Sequence, residues 1–275
     1  MNTPSDMPLG REVAYPDAYA PELLHAIARV PNRAELGIGA TLPFHGVDVW
    51  NAYELSWLDP RGKPEVAMAQ FRIPAASPNI IESKSFKLYL NGYNRERVTD
   101  ADELHARLVR DLSAAAGIEV EVDLTSAERF SAVTLSELEG ESIDGQMLDI
   151  DDYGPPNAMH LRAVADGDTA DESLVSNLLK SNCPVTGQPD WASVQMRYSG
   201  PRIERAGLLR YLISFREHAE FHEQCVERIF VDVMRACAPH TLSIYARYTR
   251  RGGLDINPWR ASHTGAPTNP RGARQ

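Results

Sequence analysis

The sequence has 275 residues, a hydrophobic fraction of 43% and a formal net charge of -10. This hydrophobic content is ordinary for a globular protein and excludes an intrinsically disordered chain. The negative charge argues against broad nucleic-acid binding, because that binding relies on surplus Lys and Arg that neutralise phosphates. It still allows a small local basic pocket.

Three features bear on the compartment. Residues 1–6 contain no basic stretch followed by an apolar run, so no secretory signal is predicted. No apolar segment approaches the length of a membrane span. The chain has three cysteines, an odd and low number that favours free thiols in a reducing compartment. We therefore expect a cytoplasmic protein without disulfides and without a membrane anchor.

The pattern of residues in the first half of the sequence predicts an extension followed by one compact module. Residues 1–42 are rich in Pro, Gly and Ala and are interpreted as a surface extension. In the module predicted over residues 43–139, Leu104, Leu108 and Leu112 recur at four-residue spacing and indicate a helix that follows Asp100. Gly117 would end that helix. The other predicted elements are strands over 47–58, 65–73, 118–124 and 130–135 and a helix over 82–91.

An acidic linker is predicted over residues 140–170, and a second module over residues 171–262. Gly200-Pro201 is expected to open a helix, and a further helix is predicted over 221–237 with Val226, Phe230, Val233 and Cys237 on one stripe. Residues 263–275 are expected to fray. The strands predicted in this half cover residues 173–179, 191–198, 242–248 and 254–259.

Both halves thus show the same element order, which is strand, strand, helix, helix, strand, strand. An antiparallel sheet with helices on one face buries such elements, so the sequence favours the α+β class.

Cys183 is the first candidate for chemistry. It follows a predicted strand and precedes a loop rich in Pro and Gly, and loops at strand ends often display reactive side chains. Asp190 lies just past that loop, so a nucleophilic thiolate and a proton donor could face each other. The alternative, a small buried hydrophobic residue, stays open for Cys183. For Cys225 and Cys237, inside a helix, the core interpretation is favoured.

A second cluster covers residues 82–89, where Ser83, Lys84, Ser85 and Lys87 crowd the start of a helix. Free backbone N–H groups and lysine charge make such a start an anion site. Helix-capping serines and solvated lysines are the simpler interpretation.

Two further clusters carry polar side chains. Glu223 at a helix start could accept hydrogen bonds from a guanine-like edge, or could merely favour the helix dipole. Arg251 beside Gly252 could bind phosphate, or could be a solvated hairpin end. Gly37-Ile38-Gly39 lacks the third glycine of a dinucleotide-binding turn, and no metal-binding motif is found, so no metal is predicted.

Taken together, four ordered motifs resemble the NADPH-dependent 7-cyano-7-deazaguanine reductases, in their long, two-module branch. The motifs occupy residues 82–89, 179–191, 221–229 and 245–258, and the resemblance spans residues 43 to 260. It implies a tunnelling fold (T-fold), with two tandem ferredoxin-like β-β-α-α-β-β modules built on antiparallel sheets. It also implies NADPH as the cofactor, a small deazapurine as the substrate, no direct nucleic-acid or membrane partner, and a homodimer.

By the same resemblance, each candidate residue receives a role. Cys183 would add to the nitrile carbon to form a thioimide, and Asp190 would supply protons, within the biosynthesis of the tRNA nucleoside queuosine. The residues implied to hold the deazaguanine are Ile81, Glu82, Ser83, His222 and Glu223. The residues implied to contact NADPH are Ser83, Lys84, Arg251 and Gly252.

Two other functions would match parts of this sequence. A zinc-dependent hydrolase of the GTP cyclohydrolase type, on the same fold, would need a Cys/His ligand set that the motifs do not supply. A non-catalytic purine-binding module would need Glu223 but neither Cys183 nor Asp190. The presence of both residues beside the other motifs favours an enzyme.

Overall fold

The computed structural model describes residues 18–165 and 167–275. Its strands are β1 Ala26–Ala28, β2 His45–Leu58, β3 Pro64–Pro74, β4 Asn79–Ile81, β5 Glu121–Ser126, β6 Glu141–Ser142, β7 Thr169–Asn182, β8 Pro189–Pro201, β9 Thr241–Tyr248 and β10 Leu254–Ala261. Its α-helices are α1 Val30–Glu35, α2 Ser83–Asn91, α3 Ala101–Ala116, α4 Arg205–Ile213 and α5 His222–Cys237. The α+β class predicted from the sequence is confirmed.

The chain divides into two compact units, each drawn from several segments. In the part of the chain that the structure describes, the first unit takes residues 18–31, 48–134 and 250–255, and the second takes residues 32–47, 135–249 and 256–275. The module boundaries inferred from the sequence remain a prediction. Within the described residues, no helix is long and apolar enough to cross a membrane.

In the first unit, strands β5, β3 and β2 lie side by side in that order, and β3 pairs antiparallel with β5. The buried Phe86 of α2 packs against this sheet, with its ring centroid 5.2 Å from that of Trp50 and 5.0 Å from that of Phe71. Such tilted aromatic contacts add to the stability that burial of the rings provides.

Helix α3 forms as its sequence predicts. The Asp100 carboxylate accepts a hydrogen bond from the Glu103 backbone N–H at 2.9 Å, which satisfies one of the free donors at the helix start. The three leucines at four-residue spacing, Leu104, Leu108 and Leu112, are fully buried. Gly117 ends the helix with φ at 76°, a left-handed conformation that glycine adopts without strain.

In the second unit, the sheet runs in the order β6, β7, β8, β9, β10. Strand β8 pairs antiparallel with β7 and with β9, β9 pairs antiparallel with β10, and β6 pairs parallel with β7. Helix α5 packs on this sheet through the predicted stripe, since Val226, Phe230, Val233 and Cys237 are all buried. An ion pair fixes the same helix to β10, because Arg260 Nη2 lies 2.9 Å from Glu227 Oε1 and both side chains are buried.

Strand β7 contains a bulge. Ser176 pairs with Val194 and Leu179 pairs with Ala192, so three steps along β7 match two along β8. The extra residue leaves Asn177 and Leu178 exposed while Ser176 and Leu179 both stay buried. Asp144 stabilises the bulge, since its carboxylate accepts from the Ser176 hydroxyl at 2.6 Å and from the Asn177 backbone N–H at 2.9 Å.

Two predicted elements are wrong. Residues 130–135 were expected to form a strand, but Ala127–Ala132 is a 3₁₀ helix and Phe130, Val133 and Leu135 are exposed. Their apolar spacing therefore does not mark a buried sheet face. Gly200-Pro201 does not open a helix either. Both residues pair with β7 at the end of β8, and α4 begins only at Arg205.

Residues 18–42 and 263–275 are also more ordered than expected. Of the extension predicted over residues 1–42, residues 1–17 lie outside the described part. The remainder contains β1 and α1 and buries Ile27, Leu36 and Ile38. The tail does not fray at its end, because the Gln275 side chain is buried and accepts hydrogen bonds from Arg247.

Candidate active site

Strand pairing brings the candidate acid to the same face as several buried side chains of the second unit. Ser181 on β7 pairs with Asp190 on β8, and Ala192 on β8 pairs with Tyr248 on β9. Paired residues in an antiparallel ladder point to the same side, and side chains alternate along each strand. Ser181, Asp190 and Tyr248 therefore share one face of the sheet.

Cys183 begins the tight loop that joins β7 to β8. Its backbone N–H donates to the Gln188 carbonyl at 2.9 Å, and its carbonyl accepts from the Gly187 N–H at 3.0 Å. The side chain is buried, with 5% of the residue exposed. These hydrogen bonds fix the Cys183 backbone directly beyond Asn182, which pairs with the residue before Asp190. The loop thus returns the chain so that Asp190 pairs with Ser181, two residues before the cysteine.

Asp190 has an imidazole beside it. His222 Nε2 lies 3.3 Å from Asp190 Oδ1, and both side chains are almost fully buried. The His222 ring also stacks on the Tyr248 ring, with centroids 3.8 Å apart and planes 8° apart. An imidazole and a carboxyl group at this distance can share or exchange a proton, because a charge on one stabilises the opposite charge on the other. The three side chains come from α5, β8 and β9.

The first turn of α5 carries His222 and Glu223. The residue before the helix, Phe221, supplies no side-chain hydrogen bond to it. Glu223 is buried in this turn, where the partial positive charge of the helix start favours a carboxylate.

The other two cysteines are unsuited to act as nucleophiles. Burial raises the pKa of the Cys225 thiol well above its usual value, and the Glu220 carboxylate raises it further. Burial raises the pKa of Cys237 to about 11. The thiolate is the nucleophilic form, so neither residue supplies a nucleophile near neutral pH. The hydroxyls of Ser181 and Tyr248 lie against the Cys225 thiol.

In the first unit, Glu82 closes the start of α2. Its carboxylate accepts hydrogen bonds from the backbone N–H groups of Lys84 at 2.6 Å and Ser85 at 2.8 Å. The Ser85 hydroxyl donates to the Glu82 carbonyl at 2.7 Å. A glutamate, not a serine, is therefore the cap, and it occupies two of the backbone donors from which an anion site was predicted. Ile81, Ser83 and Lys84 flank this carboxylate along the chain.

The turn after β9 lies beside α2 within the same unit. Gly252 and Gly253 have φ values of 57° and 77°. A Cβ on Gly252 would lie 3.3 Å from the Lys87 side chain, and one on Gly253 would lie 2.7 Å from the Glu54 carboxylate. Only glycine fits this close approach. A cavity of about 270 Å³ is lined there, among others, by Glu54, Lys87, Asn91 and Gly252.

The residues predicted from the sequence form two groups, one in each unit. In the second unit, Asp190 and His222 are in contact, and Cys183 and Glu223 lie in the adjoining loop and helix turn. In the first unit, Glu82, Ser83 and Lys84 start the helix that also carries Lys87, and Lys87 adjoins Gly252. Sequence reasoning missed Tyr248 as a partner of His222. Its only signal was the alternation along β9, where even-numbered positions are apolar or aromatic.

Comparisons with known proteins agree with the motifs. One family model, described as nitrile reductase, 7-cyano-7-deazaguanine-reductase N-term, matches residues 15–124. A second, described as QueF-like protein, matches residues 189–267. A solved structure, the archaeosine synthase QueF-Like in the apo form, aligns with 35% of this chain and 96% of its own at 15% identity and a TM-score of 0.31. That structural likeness is too weak to carry an argument.

Three curated relatives cover nearly the whole chain, and each bears the name NADPH-dependent 7-cyano-7-deazaguanine reductase. The protein of Bordetella bronchiseptica is 61% identical over 98% of this chain and 99% of its own. That of Chromobacterium violaceum is 59% identical over 99% and 98%. That of Stenotrophomonas maltophilia is 62% identical over 95% and 94%.

Proposed function

Because the chain belongs to the family of NADPH-dependent 7-cyano-7-deazaguanine reductases, we propose that it reduces the substrate's nitrile through a covalent bond to Cys183. The protein is an oxidoreductase that uses NADPH. The observation that carries the proposal is the contact of Asp190 with His222 at 3.3 Å, on the strand that follows the Cys183 loop. A nucleophile, an acid and a base are the groups that addition to a nitrile requires.

The first step adds the Cys183 thiolate to the nitrile carbon. One of the two π bonds between carbon and nitrogen breaks, and its electron pair moves to nitrogen. Asp190 donates a proton there, which gives a neutral thioimide with a C=N–H group. This intermediate accepts hydride more readily than a nitrile does, so the covalent bond divides one difficult step into easier ones.

Two reductions complete the reaction. A hydride adds to the thioimide carbon and a proton to its nitrogen, and the resulting adduct expels the Cys183 thiolate to leave an imine cation. A second hydride converts this to the primary amine, 7-aminomethyl-7-deazaguanine. Two hydrides and two protons are consumed in total, and Cys183 returns to its starting state. His222, beside Asp190, restores the proton that the acid has given up.

The first unit carries residues that fit NADPH. When bound, the cofactor supplies the hydrides. We assign its contacts to Ser83, Lys84, Arg251 and Gly252. The fit rests on two features: lysine and arginine side chains suit phosphate oxygens, and the glycine turn leaves its backbone accessible beside a cavity.

The deazaguanine requires acceptors for its guanine-like edge. Glu223 is assigned to the N–H and amino donors, since a buried carboxylate can accept both. His222 shares that helix turn. In the first unit, we assign substrate contacts to Ile81, Glu82 and Ser83. Each oxygen of the Glu82 carboxylate keeps a lone pair beyond the one used for capping.

We place the reaction in queuosine biosynthesis, with the protein acting as a homodimer in the cytoplasm on a free small molecule. The pathway and the assembly rest on the family resemblance, and the compartment rests on the cysteine content. Sedimentation analysis of the purified protein would check the dimer.

Intact-protein mass spectrometry tests the covalent step. Wild-type protein mixed with 7-cyano-7-deazaguanine and no NADPH should gain the mass of one substrate. Cys183→Ala should gain nothing and should lose turnover. Cys237→Ala, which removes a buried thiol elsewhere in the same unit, is the matched control and should behave like wild type. Near-normal turnover in Cys183→Ala would refute the mechanism.

A further inference from the structure

His222 lacks the hydrogen bond that usually orients a functional imidazole. In many active and metal sites, one ring nitrogen acts while the other bonds to a backbone or carboxylate oxygen that fixes the ring. Here Nε2 faces Asp190, but Nδ1 is buried and has no hydrogen-bond partner among residues 18–165 and 167–275. Some other contact must therefore set the plane of the ring.

The Tyr248 ring provides that contact. Its centroid lies 3.8 Å from the His222 centroid and the planes differ by 8°, so the rings touch face to face. A rotation of the imidazole about its own side-chain bond would drive one edge into the tyrosine. The stack therefore restricts the direction in which Nε2 points, and that direction is toward Asp190.

Tyr248 is itself held rigidly. It is fully buried, its backbone N–H donates to Asn257 Oδ1 at 3.1 Å, and its carbonyl accepts from Gln275 Nε2 at 3.1 Å. The same Gln275 amide donates to Asn257 Oδ1 at 2.8 Å. The end of the described chain thus locks the backbone at the end of β9. Proteins hold a functional side chain accurately by locking the residues around it.

We propose that Tyr248, anchored by Asn257 and Gln275, is a positioning residue that holds the His222 imidazole against Asp190. This inference rests on the proposed function, in which the Asp190 and His222 pair supplies the proton for thioimide formation. The ring of Tyr248 is the part that acts. Its hydroxyl, which lies against the Cys225 thiol, is dispensable for this role.

Three variants separate these contributions. Tyr248→Leu removes the stack, Tyr248→Phe keeps it without the hydroxyl, and Tyr245→Leu is the matched control. Tyr245 is also buried on β9, but three residues away it faces the opposite side of the sheet. Stopped-flow measurement of adduct formation, at saturating nitrile and without NADPH, isolates the step. We expect adduct formation in Tyr248→Leu to be about tenfold or more slower than in Tyr245→Leu. This loss is a fraction of the roughly 10²–10⁴-fold acceleration that a positioned acid contributes. Tyr248→Phe should stay close to wild type.

A spectroscopic signature complements the rates. Stacking shifts the His222 ring protons upfield through the ring current of Tyr248, and a His222→Gln spectrum assigns those signals. The shift should persist in Tyr248→Phe and vanish in Tyr248→Leu. Gln275→Ala removes the anchor of Tyr248 without removing an apolar core side chain. It should reduce both the upfield shift of the His222 ring protons and the rate of adduct formation.

The outcomes are decisive. Equal rates for Tyr248→Leu and Tyr245→Leu, a Tyr248→Phe variant as slow as Tyr248→Leu, or an unchanged Gln275→Ala would each overturn the proposal. If wild-type protein forms no adduct at all, the covalent mechanism fails instead. The ring-current signature would still show whether Tyr248 orients His222.

Discussion

Two glutamates of equal burial precede two helices and behave differently. Glu82 stands before α2 and Glu220 stands two residues before α5, and each is 1% exposed. Glu82 accepts from backbone N–H groups at the start of its helix. Glu220 instead accepts from the Arg228 guanidinium, at 2.9 Å from Nε, and lies 3.1 Å from His218 Nε2.

The difference shows how the same residue type can close one helix and leave another without a cap. At α2 the carboxylate satisfies the backbone donors, and the helix start is a structural feature as well as a candidate binding surface. At α5 the preceding acid is taken up by side chains, and Phe221 offers no cap. No capping side chain from Phe221 covers the first turn of α5, which carries His222 and Glu223. We therefore expect substitutions at the start of α5 to impair mainly chemistry and binding, and substitutions at the start of α2 to lower stability as well as binding.

The largest effect should follow from Asp190→Asn. The amide keeps the size of the side chain but cannot donate a proton as an acid does, so adduct formation should slow by about 10²–10⁴-fold while the nitrile still binds. Stopped-flow absorbance without NADPH measures this step. Asp171→Asn, an exposed position on β7, is the matched control. If adduct forms at the wild-type rate in Asp190→Asn, the acid lies elsewhere and His222 is the next candidate.

Glu223→Ala should come next. Loss of the carboxylate should weaken binding of the deazaguanine by about 1–3 kcal/mol, the value of a good bidentate contact to a base edge. NADPH binding should change little. Calorimetric titration with each ligand separately gives both affinities. Equal weakening of the two ligands would contradict the assignment and would also weaken the contrast between the helix starts.

Glu82→Ala tests the other side of the comparison. Removing a helix cap costs about 0.5–2 kcal/mol, so the free energy of unfolding should fall by that amount. Urea denaturation followed by circular dichroism measures it, with Glu223→Ala as the comparison at the uncapped helix. If Glu223→Ala destabilises the protein as much as Glu82→Ala does, the two helix starts do not differ in the way inferred.

The smallest effect concerns Glu220 and pH. Burial alone would raise the pKa of this carboxyl group, but the adjacent His218 imidazole and Arg228 guanidinium outweigh it and lower the pKa below its usual value. The stabilisation is therefore fully present above the pKa of the unfolded state, about 4.3, and is lost as the pH falls through the lower folded value. Unfolding free energies at pH 6 and pH 3 should differ less in Glu220→Gln than in wild type. An equally steep loss in the variant would exclude Glu220 as a contributor.

Sequence patterns predicted the helices and strands that interactions between residues close in the chain determine. The leucine spacing, the Asp100 cap and Gly117 located α3 because each acts within a few residues of the chain. The four motifs identified the family, which the family models and the curated relatives then showed. The strand expected at residues 130–135 was wrong because spacing alone cannot show whether a partner strand is present.

The candidate site residues divide in the same way. Cys183 and Asp190 were apparent from a strand end and a short loop, and the pairing of β7 with β8 brings their strands together. Tyr248 could not be found from its neighbours in sequence, because its contact with His222 depends on β9 and α5 packing across the second unit. Gln275 was missed for the same reason, since its partners Arg247, Tyr248 and Asn257 lie 18 to 28 positions earlier in the chain.

The bulge in β7 has a consequence for how the length of this strand can vary. It lets Ser176 and Leu179 face the same side although they lie three positions apart, an offset that would place them on opposite sides of a regular strand. Deletion of a single residue at 177–178 would restore a regular ladder and leave Ser181 on its present face. A single deletion between residues 179 and 182 would instead reverse the alternation before Cys183. Length variation among homologues should therefore be tolerated at the bulge and absent from the few residues that follow it.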